Sequence, residues 1–247
     1  MAYRFFAAII NHFLGNKMLR KIYWGSVVSL LLVNPSFAGF YVGAGFGPEY
    51  AQFTQKTHVF DNFGDFNAID EENFSGAGVF GTFFGGYSWV RNRFYLAVEG
   101  NFNPSSLQYR LVNKEYIHHN FKKTSFTIHY SEGVSALPGF FLTESAVVYG
   151  RIGYANGHVA LHNSDETIHS SVANRNGIRY GAGVRYNLTP QWTMMADFSQ
   201  TNYEKFSSHF FDPFGGVTKN SRIYPVSAQL AFGVIYNFEK PKAAFVK

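Results

Sequence analysis

Cysteine is absent from the 247 residues, which excludes both a disulfide framework and a thiolate metal site. Charge is scarce as well: Asp, Glu, Lys and Arg make up 15% of the chain, whereas soluble domains carry about a quarter. A large share of the surface therefore does not face water. Long apolar runs are missing too. Val27 to Val33 is far short of the roughly 20 residues that a membrane-crossing helix needs. Basic character is thinner than it looks. The formal charge is +5, but Arg4, Lys17, Arg20 and Lys21 stand before residue 39 with no acid among them, leaving 17 basic against 16 acidic residues. The excess belongs to the leader and gives no reason to expect nucleic-acid binding.

What is present is aromatic, glycine-rich and alternating. Aromatic residues make up 19% of the chain and Gly numbers 24. The run Arg222 to Phe238 sets the pattern. Val226, Ala228, Leu230, Phe232, Val234, Tyr236 and Phe238 fall on one side, and Ser227, Gln229, Ala231, Gly233, Ile235 and Asn237 on the other. Side chains change faces at each residue of a strand, so one face is apolar and the other small or polar. A strand that spans a membrane needs about 9–11 residues, apolar toward lipid and polar toward a lumen.

The leader has the parts of a secretory signal. Arg20 and Lys21 precede the apolar run, and Ser36-Phe37-Ala38 reads as a small-x-small cleavage site. Gly39 is the expected mature N-terminus, and Met18 is a better start than Met1. The expected division is 1–38 extension and signal peptide, 39–238 barrel, and 239–247 a short periplasmic tail.

Strand-like runs then recur: Phe40 to Ala51, Phe74 to Trp89, Phe94 to Phe102, Thr124 to Leu142, Ala146 to His162, Gly177 to Leu188, Trp192 to Lys205 and the final run. The facing of the second cannot be read from its pattern. Connections alternate long and short. The short ones are Val90-Arg91-Asn92-Arg93, Thr143-Glu144-Ser145 and Thr189-Pro190-Gln191; the first long one carries Asp61, Asp65, Asp70, Glu71 and Glu72. An even strand number with short periplasmic turns and long outer loops describes an outer-membrane barrel. The expected fold is all-β: an eight-stranded antiparallel up-and-down transmembrane barrel with four long extracellular loops. A soluble lipocalin-like barrel would need an apolar interior, whereas here the side opposite the apolar stripe is full of Gly, Ser, Asn and charge.

The segments Gly39–Gly47, Gly81–Trp89, Phe94–Phe102, Val147–Tyr154 and Tyr180–Trp192 together resemble the opacity-type outer-membrane β-barrel family, a relative of the OmpA-like transmembrane domain. The resemblance covers roughly 39–238. It implies a Gram-negative outer-membrane location and adhesion or another surface interaction through the loops. It also implies a strand signal for the barrel-assembly machinery at Gly233, Tyr236 and Phe238, although Ala231 stands where a polar residue is usual and nine residues follow Phe238. A peptidoglycan-binding domain is not expected after the barrel, so the resemblance does not imply the wall-anchoring role of full-length OmpA-like proteins.

By alternation Glu99, Arg151, Arg179, Arg185 and Asp197 point into the lumen. An eight-stranded barrel is only wide enough for side chains to fill, so these charges are expected to pair. Arg185 is expected directly or diagonally beside Asp197 and paired with it, with Arg151 at like depth and Glu99 approaching across the barrel to pair with Arg151. An ion pathway is the competing reading. His129, Ser131 and Glu144 raise the chemistry of barrel enzymes that act on lipid A, which needs a base beside the serine and an orienting acid. Alternation puts Phe126, Ile128, Tyr130 and Val134 outside and turns His129 and Ser131 inward, with Glu144 at the far end, against a triad. His118 and His119, near Glu115, make a poor metal site. Lys114, Lys122 and Lys123 in the same connection suit an anionic partner, either lipopolysaccharide or a host polyanion. The expected protein is a monomeric, non-enzymatic surface barrel without a cofactor. A low-conductance porin and a lipid A enzyme are the alternatives.

Overall fold

The computed structural model describes residues 37–61, 67–114, 121–163, 171–212 and 217–239; the leader, four loop tips and the end of the tail lie outside the described residues. Ten strands form one antiparallel sheet: β1 (Phe37–Asp61), β2 (Asn67–Arg91), β3 (Phe94–Pro104), β4 (Gln108–Lys114), β5 (Phe121–Phe141), β6 (Ala146–Asn163), β7 (Ser171–Asn187), β8 (Trp192–Tyr203), β9 (Phe206–Asp212) and β10 (Val217–Asn237). The ring runs β1-β2-β3-β5-β6-β7-β8-β10 and closes where β10 pairs with β1, with Gly45 opposite Gly233. β4 continues the stave begun by β3, and β9 the stave begun by β8. The ring therefore has eight staves and no edge at the level of the membrane.

Outward faces carry the lipid contact. Phe40, Val42 and Phe46 on β1, Phe94 and Phe102 on β3, and Phe232, Val234 and Phe238 near the end of the chain are all exposed. Farther along β1 the outward residues change to Gln52, Thr54 and Lys56, so the apolar band is bounded. The short turns close the periplasmic end. Asn92 takes a φ of 55°, a left-handed conformation that asparagine tolerates better than most residues. In the other two turns a threonine hydroxyl accepts from the chain ahead of it. Thr143 Oγ1 takes the N–H of Ala146, and Thr189 Oγ1 that of Trp192, each at 3.0 Å.

The long connections are mostly strand. β1 and β2 each have 25 residues, against the about 9–11 that a crossing requires. Asp70, Glu71 and Glu72 thus stand on β2 rather than in a coil, and Glu71 meets Lys56 at 3.0 Å. The expected connection Asn103 to Lys123 contains β4 and the start of β5, paired Asn113 to Lys122.

The fourth stave corrects the expected facing. Phe126 and Ile128 are buried inside, not turned to lipid, and His129 is exposed outside. The cause is a bulge. Ile128 faces Val159 and Tyr130 faces His158, leaving His129 as an extra residue. One inserted residue reverses the parity of everything on one side of it. The facing of the second run is settled as well: Phe80, Thr82, Phe84, Ser88 and Val90 are buried inside, and Val79 and Phe83 are exposed outside.

Two apolar clusters fill the lumen at different heights. The periplasmic one includes Tyr41, Phe84, Tyr95, Leu137, Phe141 and Ile235. The extracellular one is Ala51, Phe53, Leu107, Phe126, Ile128, Val159 and Phe206, with the Phe53 and Phe126 rings stacked 4.9 Å apart.

Candidate functional site

Between these clusters lie the polar side chains of the lumen. Glu99 on β3, Arg151 on β6, Arg185 on β7 and Asp197 on β8 are all buried. Each arrives by strand parity, pointing inward from a lipid-facing neighbour. Glu99 takes Arg185 Nη2 at 2.6 Å and Arg151 Nη2 at 2.9 Å. Arg151 reaches on to Asp197 Oδ2 at 3.0 Å. The order is therefore Arg185–Glu99–Arg151–Asp197, not the expected Arg185–Asp197 pair. The cross-strand register explains it. Arg185 lies opposite Met195, and Asp197 opposite Gly183, so the two are diagonal neighbours, one of the two placements expected, without pairing to each other. Arg185 then reaches across the barrel to Glu99 instead.

Tyrosines that sequence reasoning passed over complete the layer. Tyr149 donates to Asp197 at 2.6 Å and Tyr41 to Glu99 at 3.0 Å, while Arg185 Nη1 donates to Tyr95 at 2.5 Å. The Arg185 guanidinium also lies 4.8 Å from the Tyr41 ring centroid and 5.0 Å from that of Tyr149, close enough for cation–π attraction. The two cations and two carboxylates balance.

Arg179 belongs to a second layer. It donates to Thr201 Oγ1 and Ser131 Oγ, each at 3.1 Å, and no carboxylate lies within ion-pair distance among the described residues. Glu49 lies buried in the same region, taking Gln229 Nε2 at 2.8 Å and the Ser105 hydroxyl. Gln229 Oε1 accepts from Asn103, and Asn103 from Asn101. Glu49 was not among the expected lumen charges, yet continuing the odd-numbered inward series of the first run from Tyr41 through Gly47 reaches it. Between the two layers is a cavity of about 20 Å³, bordered by Arg151, Arg179, Asp197 and Gln229. That is room for a water molecule, not a channel.

The remaining candidates separate. His129 is outside and Ser131 inside, while Glu144 is exposed in a short turn; they do not form a triad. His118, His119 and Glu115 lie outside the described residues. Lys114 and Lys122–Lys123 have described backbone on β4 and β5 only. Gly233 faces Gly45 across the closing seam. Tyr236 and Phe238 point to lipid, with the Tyr236 ring edge-on to Trp192 at 5.2 Å and to Phe238 at 5.3 Å.

A closed β-ring with a lipid-facing apolar band and a packed, polar-layered lumen defines a small membrane-spanning barrel. The profile of the outer membrane protein beta-barrel domain matches residues 30–238, and the chain belongs to that family. Its location is accordingly the outer membrane of a Gram-negative cell. Among solved structures it is similar to Ail, the attachment invasion locus protein of Yersinia pestis, in complex with the heparin analogue sucrose octasulfate. That likeness has 18% identity over 81% of this chain and 99% of the other, with a TM-score of 0.36. It is also similar to Neisserial surface protein A (19%, 82% and 100%, 0.41) and to the outer membrane protein OprG of Pseudomonas aeruginosa (9%, 81% and 96%, 0.48). These likenesses carry no information about activity. No curated protein matches the chain.

Proposed function

We propose that this barrel is a non-enzymatic surface protein whose extracellular hairpins contact a partner outside the cell. The observation that carries the reading is a wall far taller than a crossing requires around a lumen that is filled. β1 and β2 continue past the apolar band as paired strands, and Leu107 together with side chains from β1, β5, β6 and β9 plugs the lumen at that height. A rigid raised hairpin presents its tip and outer face at little entropic cost on binding. The β4–β5 hairpin carries Lys114, Lys122 and Lys123, whose charge suits a sulfated or phosphorylated polyanion.

The test is binding of intact cells to matrix proteins and sulfated glycans, with hairpins cut back one at a time. Shortening the β4–β5 hairpin is expected to reduce polyanion binding while the barrel still folds. Unchanged binding across all hairpin variants would leave only a structural role. A stable open state in planar bilayers would instead favour the porin reading, which the two apolar plugs and the charged layer oppose. Lipid A mass spectra from cells with and without the protein are expected to be identical.

The same reading has the leader removed after Ala38, the last strand recognised by the assembly machinery through Gly233, Tyr236 and Phe238, and the mature barrel acting as a monomer. N-terminal sequencing of protein from outer membranes should begin at Gly39.

A further inference from the structure

The bulge on β5 does more than reverse a face. It sets His129 and Tyr130 side by side on the outside of the barrel, both against a single residue of β6, His158. Tyr130 and His158 are parallel within 2°, with centroids 5.0 Å apart, and His129 lies 5.8 Å from His158. Phe102 of β3 joins the row at 5.5 Å from Tyr130.

The height of this row follows from the register. Val134, Tyr154 and Ile178 are aligned across β5, β6 and β7, and all three are exposed apolar residues of the lipid band. One outward step higher the aligned set is Glu132, Asn156 and Asn176; one step above that it is Tyr130, His158 and Asn174. Each step is two residues, or roughly 7 Å along a strand. The change from apolar to amide and carboxylate therefore occurs within one step, and the aromatic row follows one step above it, on the headgroup side of the apolar band.

The polar atoms there are only half used. Asn174 Oδ1 accepts from His158 Nδ1 at 2.8 Å, and in the neutral ring Nε2 is then an acceptor. Asn176 Oδ1 accepts from Asn156 Nδ2 at 2.8 Å and from the Tyr154 hydroxyl. The side-chain amide nitrogens of Asn174 and Asn176 have no partner among the described residues. Outward donors and acceptors thus border an aromatic row.

We infer that this patch binds the sugar headgroup of a glycolipid in the outer leaflet of the membrane that the barrel spans. A pyranose ring offers C–H groups to an aromatic face and hydroxyls that both donate and accept, matching Tyr130 and His158 beside Asn174, Asn176 and Glu132. The patch faces sideways along the membrane surface, immediately above the apolar band. A lipid headgroup is already in contact there, whereas a soluble macromolecule would have to reach down to the bilayer. The surface lacks lysine and arginine among its named residues, so attraction to phosphate alone does not explain it.

The test uses the full barrel folded into two kinds of vesicle, one carrying lipopolysaccharide and the other phosphatidylethanolamine with phosphatidylglycerol. The second supplies negative charge without the sugar. Unfolding rates are compared for the wild type, Tyr130→Ala combined with His158→Ala, Tyr130→Phe, and Asn202→Ala, an exposed outward position on the opposite side of β7. The wild type, Tyr130→Phe and Asn202→Ala should unfold more slowly with lipopolysaccharide than with phospholipid. The Tyr130/His158 double variant should lose about two- to tenfold of that slowing, the weight of one aromatic contact. The inference is overturned if the double variant keeps the full ratio. It is equally overturned if Asn202→Ala loses as much, or if phosphatidylglycerol slows the wild type to the same extent.

Discussion

Arg151 and Arg179 are both buried in the same lumen, yet they are held in different ways. Arg151 touches two carboxylates, Glu99 at 2.9 Å and Asp197 at 3.0 Å. Arg179 is held by the hydroxyls of Thr201 and Ser131, each at 3.1 Å. The first is a link in a balanced chain of charges, whose members depend on one another. The second is a cation solvated by neutral dipoles, and Glu49, the carboxylate buried in the same region, is held by hydrogen bonds to Gln229 and Ser105 rather than by ion-pair contact with it. Burial alone does not set the cost of a lumen mutation; the charge left behind does.

Glu99→Ala should therefore have the largest effect. It leaves Arg185 without a carboxylate and Arg151 with Asp197 only, and breaking such a buried set costs about 3–5 kcal/mol. Urea unfolding in lipid vesicles measures it. A loss no greater than that of Arg179→Met would break the distinction between the two layers.

Asp197→Ala comes next, at roughly 2–3 kcal/mol, because Arg151 keeps Glu99 while Tyr149 loses its acceptor. Adding Arg185→Met leaves Glu99 and Arg151 as a matched pair at 2.9 Å. The double variant should thus lose less than the sum of its parts. Full additivity would show that the layer does not behave as one network, and the four-membered order read from the distances would have to be given up.

Arg179→Met should change stability by no more than about 1 kcal/mol in either direction, since removing a buried cation that has no carboxylate in ion-pair contact also removes the cost of desolvating it, which offsets the two hydrogen bonds lost. A loss as large as that of Asp197→Ala would mean that Glu49 needs the Arg179 charge despite its hydrogen bonds to Gln229 and Ser105.

The two halves of the barrel also differ in how far sequence alone reveals them. The membrane half alternates strictly, because lipid and lumen impose opposite demands on successive residues. The run from Val226 to Phe238 and the inward positions of Glu99, Arg151, Arg185 and Asp197 follow from that parity. Above the membrane, water bathes the outer wall and the constraint relaxes. Lys56 and Glu71 then read as loop residues although they lie on paired strands. The bulge at His129 leaves no mark in the local composition, and it moves Phe126 and Ile128 from the expected lipid face to the upper plug. Partner choice in the lumen is hidden for another reason. Parity tells which side chains enter, but the reach of Arg185 to Glu99 depends on residues 86 positions apart meeting across a closed ring.

The smallest effect is expected at Lys56, on the extracellular hairpin. Its ammonium lies 3.0 Å from Glu71 Oε2, a shorter distance than the 3.2 Å between Arg151 Nε and Asp197. Distance alone would therefore rank the Lys56 contact no lower than the Arg151 one. Solvent ranks them differently. Both side chains of the Lys56 pair are 51% exposed, so water and salt screen the attraction and two flexible chains must be ordered to hold it. Lys56→Ala should cost no more than about 0.5 kcal/mol at low salt, and less at 1 M salt, where the screening length is roughly 3 Å. Glu99→Ala should keep its full cost at both salt concentrations, because its partners are shielded inside the ring. A salt-dependent loss at Glu99 would mean that the lumen admits ions, and the filled barrel would have to be read again as a pore.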